Sequence, residues 1–267
     1  RGEFVCIIGH SGCGKTTITL AVMAALGRRG VRVQPFKCGP DFIDPSLHRL
    51  VTGRVSRNLD VCMCGTDFVR RTFARHAPAD GCSVVEGVMG LFDGDRGSAA
   101  CLAKTLNLPV LLVVDVRSAA ESVAAVVKGF DTLDPDLRLA AVVANRIGSA
   151  RHGEMVAAAI RAHCRPEVLG LVPRRAEVAI PSRHLGLHMG EEQPLSAGGL
   201  DQLARLAEDH LDLDRLLALA ADRQPVTDTF PTPVAAEGGP VRIGVARDAA
   251  FCFYYEENLR MLRQAGA

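Results

Sequence analysis

Short runs of β-branched and other apolar residues alternate along this chain with longer stretches that carry Ala and Leu at helical spacing. Phe4–Ile8, Val31–Phe36, Cys82–Val85, Val110–Val114, Leu139–Ala144 and Val168–Val172 predict buried strands. Thr16–Leu26, Ala99–Leu106, Ala119–Phe130 and Glu154–His163 predict the helices between them. Two further helical patterns, Leu200–Leu211 and Leu213–Ala221, follow the last strand. Strand–helix alternation predicts an α/β fold, a mostly parallel sheet with helices on both faces.

The pattern breaks at residues 222–240, where four prolines and two glycines occur without periodicity and predict a linker. Beyond it, Val241–Ala246 predicts a strand and Glu256–Gln264 a helix. The expected organisation is one domain over 1–221, a linker over 222–240 and the opening of a second domain over 241–267.

Composition narrows the function class. The 31 basic and 30 acidic residues nearly cancel, which gives no support to nucleic-acid binding through bulk charge. The longest apolar run, Leu108–Val114, contains Pro109 and falls well short of the roughly 18 residues a membrane helix needs. Nine cysteines without a secreted framework read as reduced thiols of a cytoplasmic protein. The Cys62-Met63-Cys64 pair has no second pair to complete a zinc site and is expected to be buried. Only four of the basic residues are lysines: Lys15, Lys37, Lys104 and Lys128. The last two fall in helical patterns; the first two fall in the motifs that carry chemistry.

Gly9-His10-Ser11-Gly12-Cys13-Gly14-Lys15-Thr16 fits the phosphate-binding pattern G-x-x-x-x-G-K-[ST], between a predicted strand and a predicted helix. Its backbone N–H groups and the helix N-terminus suit phosphate oxygens. Lys15 then reaches the β- and γ-phosphates of a bound ATP, and Thr16 binds Mg²⁺. Gly9, Ser11, Gly12, Cys13, Gly14 and Thr17 complete the expected ATP loop. Past the second strand comes Lys37-Cys38-Gly39-Pro40-Asp41-Phe42-Ile43-Asp44-Pro45, read as a stiff turn at the same sheet edge. There Asp41 is a Mg²⁺ candidate, and Lys37 a group that neutralises transferred phosphoryl charge. Glu86 ends a buried strand at a further metal-binding position, and a glycine-rich loop leads on to Asp93. Asn145 and Pro173 end two later strands and suit an adenine ring. Arg183 with His184 could meet a polycarboxylate.

In order and spacing, GHSGCGKTT, FKCGPDFIDPSLH, SRNLD, VEGVMGLFDG, LPVLLVVDV, ANRIGSARH and RHLGL resemble the cobyrinic acid a,c-diamide synthases over about residues 4–221. The resemblance implies a P-loop NTPase-type, dethiobiotin synthetase-like sheet and ATP-dependent amidation of the a and c acetates of cobyrinic acid. Residues 241–267 resemble the start of that family's class I glutamine amidotransferase domain. The glutaminase nucleophile is expected outside this chain, so ammonia would come from a domain it does not contain. The family also implies that Asp44 and Asp93 face the substrate carboxylate and the reactive intermediate, and that Phe42 and His48 lie at the substrate. Phe42 stands where many relatives carry Tyr. A homodimer is a family expectation. Nickel-sirohydrochlorin is the rival substrate. A ParA/MinD-like switch is the rival class, but such proteins usually carry a lysine where this chain has His10 and lack KCGPDFIDP.

Overall fold

The computed structural model describes residues 3–174, 189–192, 195–221, 241–248 and 250–267. Within them, β1 (Glu3–Gly9), β2 (Arg32–Cys38), β3 (Arg57–Leu59), β4 (Gly81–Glu86), β5 (Val110–Asp115), β6 (Leu139–Ile147) and β7 (Glu167–Pro173) form one sheet. Its order is β3-β2-β4-β1-β5-β6-β7, and every pairing in it is parallel.

Period-two alternation divides the core between two faces. Phe4, Cys6 and Ile8 of β1 point into one apolar cluster, and Val5 and Ile7 into the other. Helices α1 (Lys15–Arg28), α2 (Ile43–Thr52), α8 (Ala197–His210) and α9 (Leu213–Ala221) supply buried residues to the Ile7 face or pack on one another there. The opposite face is covered from α4 (Thr66–His76), α5 (Ala99–Thr105), α6 (Val123–Leu133) and α7 (Ala150–His163). The one-turn α3 (Val61–Cys64) precedes α4, and α10 (Glu256–Gln264) lies near the end of the chain. The fold is α/β, of the P-loop NTPase type.

The six strands predicted from hydrophobic runs are all present, each within a few residues. The short edge strand β3 and helices α2, α3 and α4 lie outside the elements predicted above. Both longer helices nonetheless carry helical spacing: Ile43, Leu47, Leu50 and Val51 in α2, and the buried Val69, Thr72 and Phe73 in α4. The turn expected through Pro45 is a helix instead. Pro45 is the third residue of α2, where its missing N–H has no partner to lose. Val241–Ala246 is corrected in the other direction. Among the described residues the segment joins no ladder, and Val241, Ile243 and Val245 are exposed. Cys62 and Cys64 are exposed rather than buried, whereas burial pushes the thiol of Cys38 up to about 12. No described helix is long and apolar enough to cross a membrane. Residues 222–240, and Arg183 and His184, lie outside the described residues.

Candidate active site

The phosphate loop connects β1 to α1 where the sheet order switches direction: the chain goes from β1 to β2 on one side and from β4 to β5 on the other. Crevices at such points, at the carboxyl ends of the strands, are where α/β sheets bind ligands. Helix α1 begins after Gly14, at φ +88°, with no side-chain cap and no acidic residue in its first turn. Its first N–H groups therefore have no anionic partner from the chain itself, which suits a phosphate. A Cβ on Gly14 would stand 2.5 Å from the Asn145 amide, so only glycine lets that amide through. Asn145 Nδ2 donates to the Cys13 carbonyl at 2.8 Å.

A second anchor on the loop was not singled out in the sequence. Arg146 has φ +68°, and its guanidinium donates to the Gly12 carbonyl at 2.6 Å and to Asp115. The ends of β5 and β6 thus hold the loop from beneath. Gly14, Thr17, Asn145 and Pro173 line one cleft beside Arg146 and Leu206, at the mouth of the phosphate loop. Gly9 lies against Cys13 and the Val113 carbonyl, and Ser11 is exposed.

The other half of the site follows from strand register. Asn58, Lys37, Glu86 and Ile7 occupy one row across β3, β2, β4 and β1. Side chains in one row of a parallel sheet share a face. Here that is the face of α1 and α2, so Lys37 and Glu86 are neighbours under the phosphate loop. Both are buried. Lys37 Nζ lies 3.4 Å from Glu86 Oε1 and 3.6 Å from Asp41 Oδ2, contacts Asp44, and donates to the Gly87 carbonyl at 3.2 Å. Thr16 Oγ1 donates to Glu86 Oε1 at 2.7 Å, and His48 Nε2 lies 2.6 Å from Glu86 Oε2. One carboxylate therefore ties the phosphate loop to the buried ammonium.

The charges account for their own placement. Burial disfavours the Lys37 ammonium, but Glu86, Asp44 and Asp41 outweigh it and push its pKa up. Burial likewise opposes the Glu86 carboxylate, yet Lys37, His48 and Thr16 hold it well below the usual range. Asp44 is pushed up by burial and by the charge of Glu86, because one ammonium is shared among three carboxylates.

That leaves surplus negative charge beside the loop, which suits a divalent cation. The Thr16 hydroxyl keeps lone pairs free after donating to Glu86, and Asp41 offers a second oxygen, both hard donors of the kind Mg²⁺ takes. Glu86 has both oxygens engaged and no exposed surface, so it fits behind Thr16 rather than directly on the metal. No group of three His, Cys, Asp or Glu converges as a metal cage among the described residues.

Two expected substrate contacts are placed differently. His48 is fully buried, with Nδ1 3.0 Å from Ser56 Oγ and Nε2 on Glu86; it braces the site and presents nothing to a substrate. Asp44 is in the first turn of α2, engaged by Lys37, and largely buried. Asp93 is exposed on the loop after β4, where its carboxylate accepts the Gly90 N–H at 2.9 Å. Asn58, within the SRNLD block, donates to the carbonyls of Gly39 at 2.9 Å and Asp41 at 2.7 Å. It holds the turn that carries Asp41.

Comparison with known proteins agrees with the resemblance that the motifs carry. The chain is 47% identical over 262 residues to a cobyrinate a,c-diamide synthase of Syntrophotalea carbinolica, covering 96% of this chain and 57% of that protein. It is 45% identical over 264 residues to that of Priestia megaterium, with 96% and 57% covered. For that of Listeria monocytogenes the identity is 44% over 263 residues, with 96% and 58% covered. The chain thus spans somewhat more than half the length of these relatives. Residues 4–187 match the CobQ/CobB/MinD/ParA nucleotide binding domain. On that match, over the sheet and both halves of the site, the chain belongs to the CobQ/CobB/MinD/ParA nucleotide-binding family.

Proposed function

We propose that this chain carries the ATP-dependent amidation chemistry of a cobyrinate a,c-diamide synthase, acting on the a and c acetate carboxylates of a corrinoid. The observation that supports this most is the Thr16–Glu86–Lys37 connection, which places a buried positive charge directly behind a phosphate loop. A carboxylate is a poor acylating agent. In the proposed sequence its oxygen attacks the γ-phosphorus, the bond to ADP breaks, and an acyl phosphate results. Ammonia then attacks the acyl carbon, and phosphate leaves as the amide forms. Phosphoryl transfer of this kind depends on positioning and charge neutralisation more than on covalent help.

Lys15 and the loop N–H groups bind the β- and γ-phosphates in this reading. Thr16 and Asp41 would hold Mg²⁺, which supplies charge neutralisation to the phosphates when bound. Lys37 stabilises the charge that develops on the transferred group. Glu86 acts through Thr16 and Lys37, keeping the hydroxyl turned and the ammonium charged. Gly14, Thr17, Asn145 and Pro173 take the adenosine end. Phe42 and Asp93, which border the Asp41 turn and the loop after β4, face the corrinoid. Ammonia is the nitrogen donor in this reading.

The acyl phosphate makes a specific expectation. With cobyrinic acid labelled with ¹⁸O in its carboxylates, one label per amide formed passes to inorganic phosphate, read by mass spectrometry of the released phosphate. Unlabelled phosphate alongside amide product would remove the acyl phosphate from the sequence.

A further inference from the structure

The segment after residue 240 does not hang free of the site. Phe42, next to Asp41, stacks on Phe253 with ring centroids 5.0 Å apart and planes 3° from parallel. It also stacks on Tyr255 at 4.5 Å and 26°. Two residues on, Glu257 is buried, with Oε1 2.9 Å from His76 Nε2 and 3.3 Å from Arg57 Nη1. Burial pushes the Glu257 carboxyl up, but His76, Arg260 and Arg57 outweigh it and hold it at about 2.

Arg57 is followed in β3 by Asn58, whose amide holds the Gly39 and Asp41 carbonyls. The turn that carries Asp41 is therefore gripped at two points from the same segment: directly at Phe42, and through Arg57 and Asn58 on its far side. Between them lies a small cavity whose wall is shared. Asp41, Phe42 and Asn58 line it from the sheet edge, and Arg247, Tyr254 and Glu256 from the segment. An Arg247–Glu256 ion pair braces the segment itself.

We propose that residues 251–257 are a positioning clamp for the Asp41–Asp44 turn and one wall of the cavity above it. These are positioning residues: they set where Asp41 and the start of α2 stand, and touch no reacting atom. A clamp of this kind makes the chemistry of the phosphate site depend on the docking of the segment that follows the first domain. The kinetic part of this inference rests on the amidation reading above; the positional part does not.

Ile43 and Asp44 donate their N–H groups to Asp41 Oδ1 at 2.8 Å and 3.2 Å, so their hydrogen exchange reports directly on the turn. In the 267-residue chain, Glu257→Gln and, separately, Phe253→Ala are expected to speed exchange in a peptide covering the turn at least tenfold. Exchange in α1 should remain within twofold. Because the chain has two tyrosines, Tyr254 and Tyr255, and no tryptophan, tyrosine emission reads undocking in the same samples.

With ammonium as nitrogen donor, both variants should lose at least fivefold in kcat for amide formation, with ATP affinity within twofold. Glu257→Asp should recover part of that loss. Unchanged exchange at the turn in both variants would overturn the clamp, and so would faster exchange with unchanged kcat. Faster exchange in α1 and the turn alike would reduce the segment to general stabilisation and would also overturn it. A parent chain that makes no amide would count against the amidation reading, while the exchange data would still decide the positional claim.

Discussion

Lys37→Met is expected to destabilise the fold by about 3–5 kcal/mol, because it leaves buried carboxylates without their cation. Methionine replaces the volume of the side chain but none of its charge. Glu86, fully enclosed, would then face Asp44 with only His48 and Thr16 to offset it. In a domain of this size that corresponds to a fall in Tm of roughly 10 °C, measured by calorimetry at neutral pH. In the proposed reaction, amide formation should fall at least a hundredfold, since the positive charge proposed to offset that of the transferred phosphoryl group is gone. A variant with near-parental Tm would mean that the three carboxylates do not depend on Lys37.

Glu86→Gln has the next largest expected effect, of a different kind. The amide has the same shape, so the fold should hold with a smaller loss of stability. What it loses is the charge that keeps Lys37 protonated and the strong acceptor that turns the Thr16 hydroxyl. Amide formation is expected to fall at least tenfold, with ATP binding much less affected. Combining the two changes removes both members of the buried pair, so the double variant should be less destabilised than the sum of the singles. Additive losses would mean that the contact between Lys37 and Glu86 carries no coupling.

These two residues also show how far the sequence could be read. The phosphate loop was legible because its chemistry is local: glycines, a lysine and a hydroxyl at fixed spacing between a strand and a helix. Lys37 was legible as a candidate because lysine is scarce and this one follows a strand. Its burial was not, since its partners come from a turn, a helix and another strand, brought together only by parallel register. His48 is the reverse case. Its place in the FKCGPDFIDPSLH block suggested the substrate, whereas α2 turns it inward onto Glu86. Helix α2 itself was hidden by Pro45, which reads as a breaker unless it falls in a first turn. Arg146 gave no signal, because a left-handed backbone and a bond to the Gly12 carbonyl leave no trace in spacing. The docking of Phe253, Tyr255 and Glu257 depends on contacts more than 180 residues apart and could not have been read from pattern.

The central claim is that the phosphate loop and the Lys37 cluster together activate a corrinoid carboxylate. The most direct measurement incubates the chain with ATP, Mg²⁺ and ammonium, and separately with cobyrinic acid or nickel-sirohydrochlorin, and follows products and ADP by mass spectrometry. The account predicts two sequential amide gains on cobyrinic acid, with one ADP for each amide. Turnover of nickel-sirohydrochlorin alone, or ADP release that ignores the corrinoid, would contradict it.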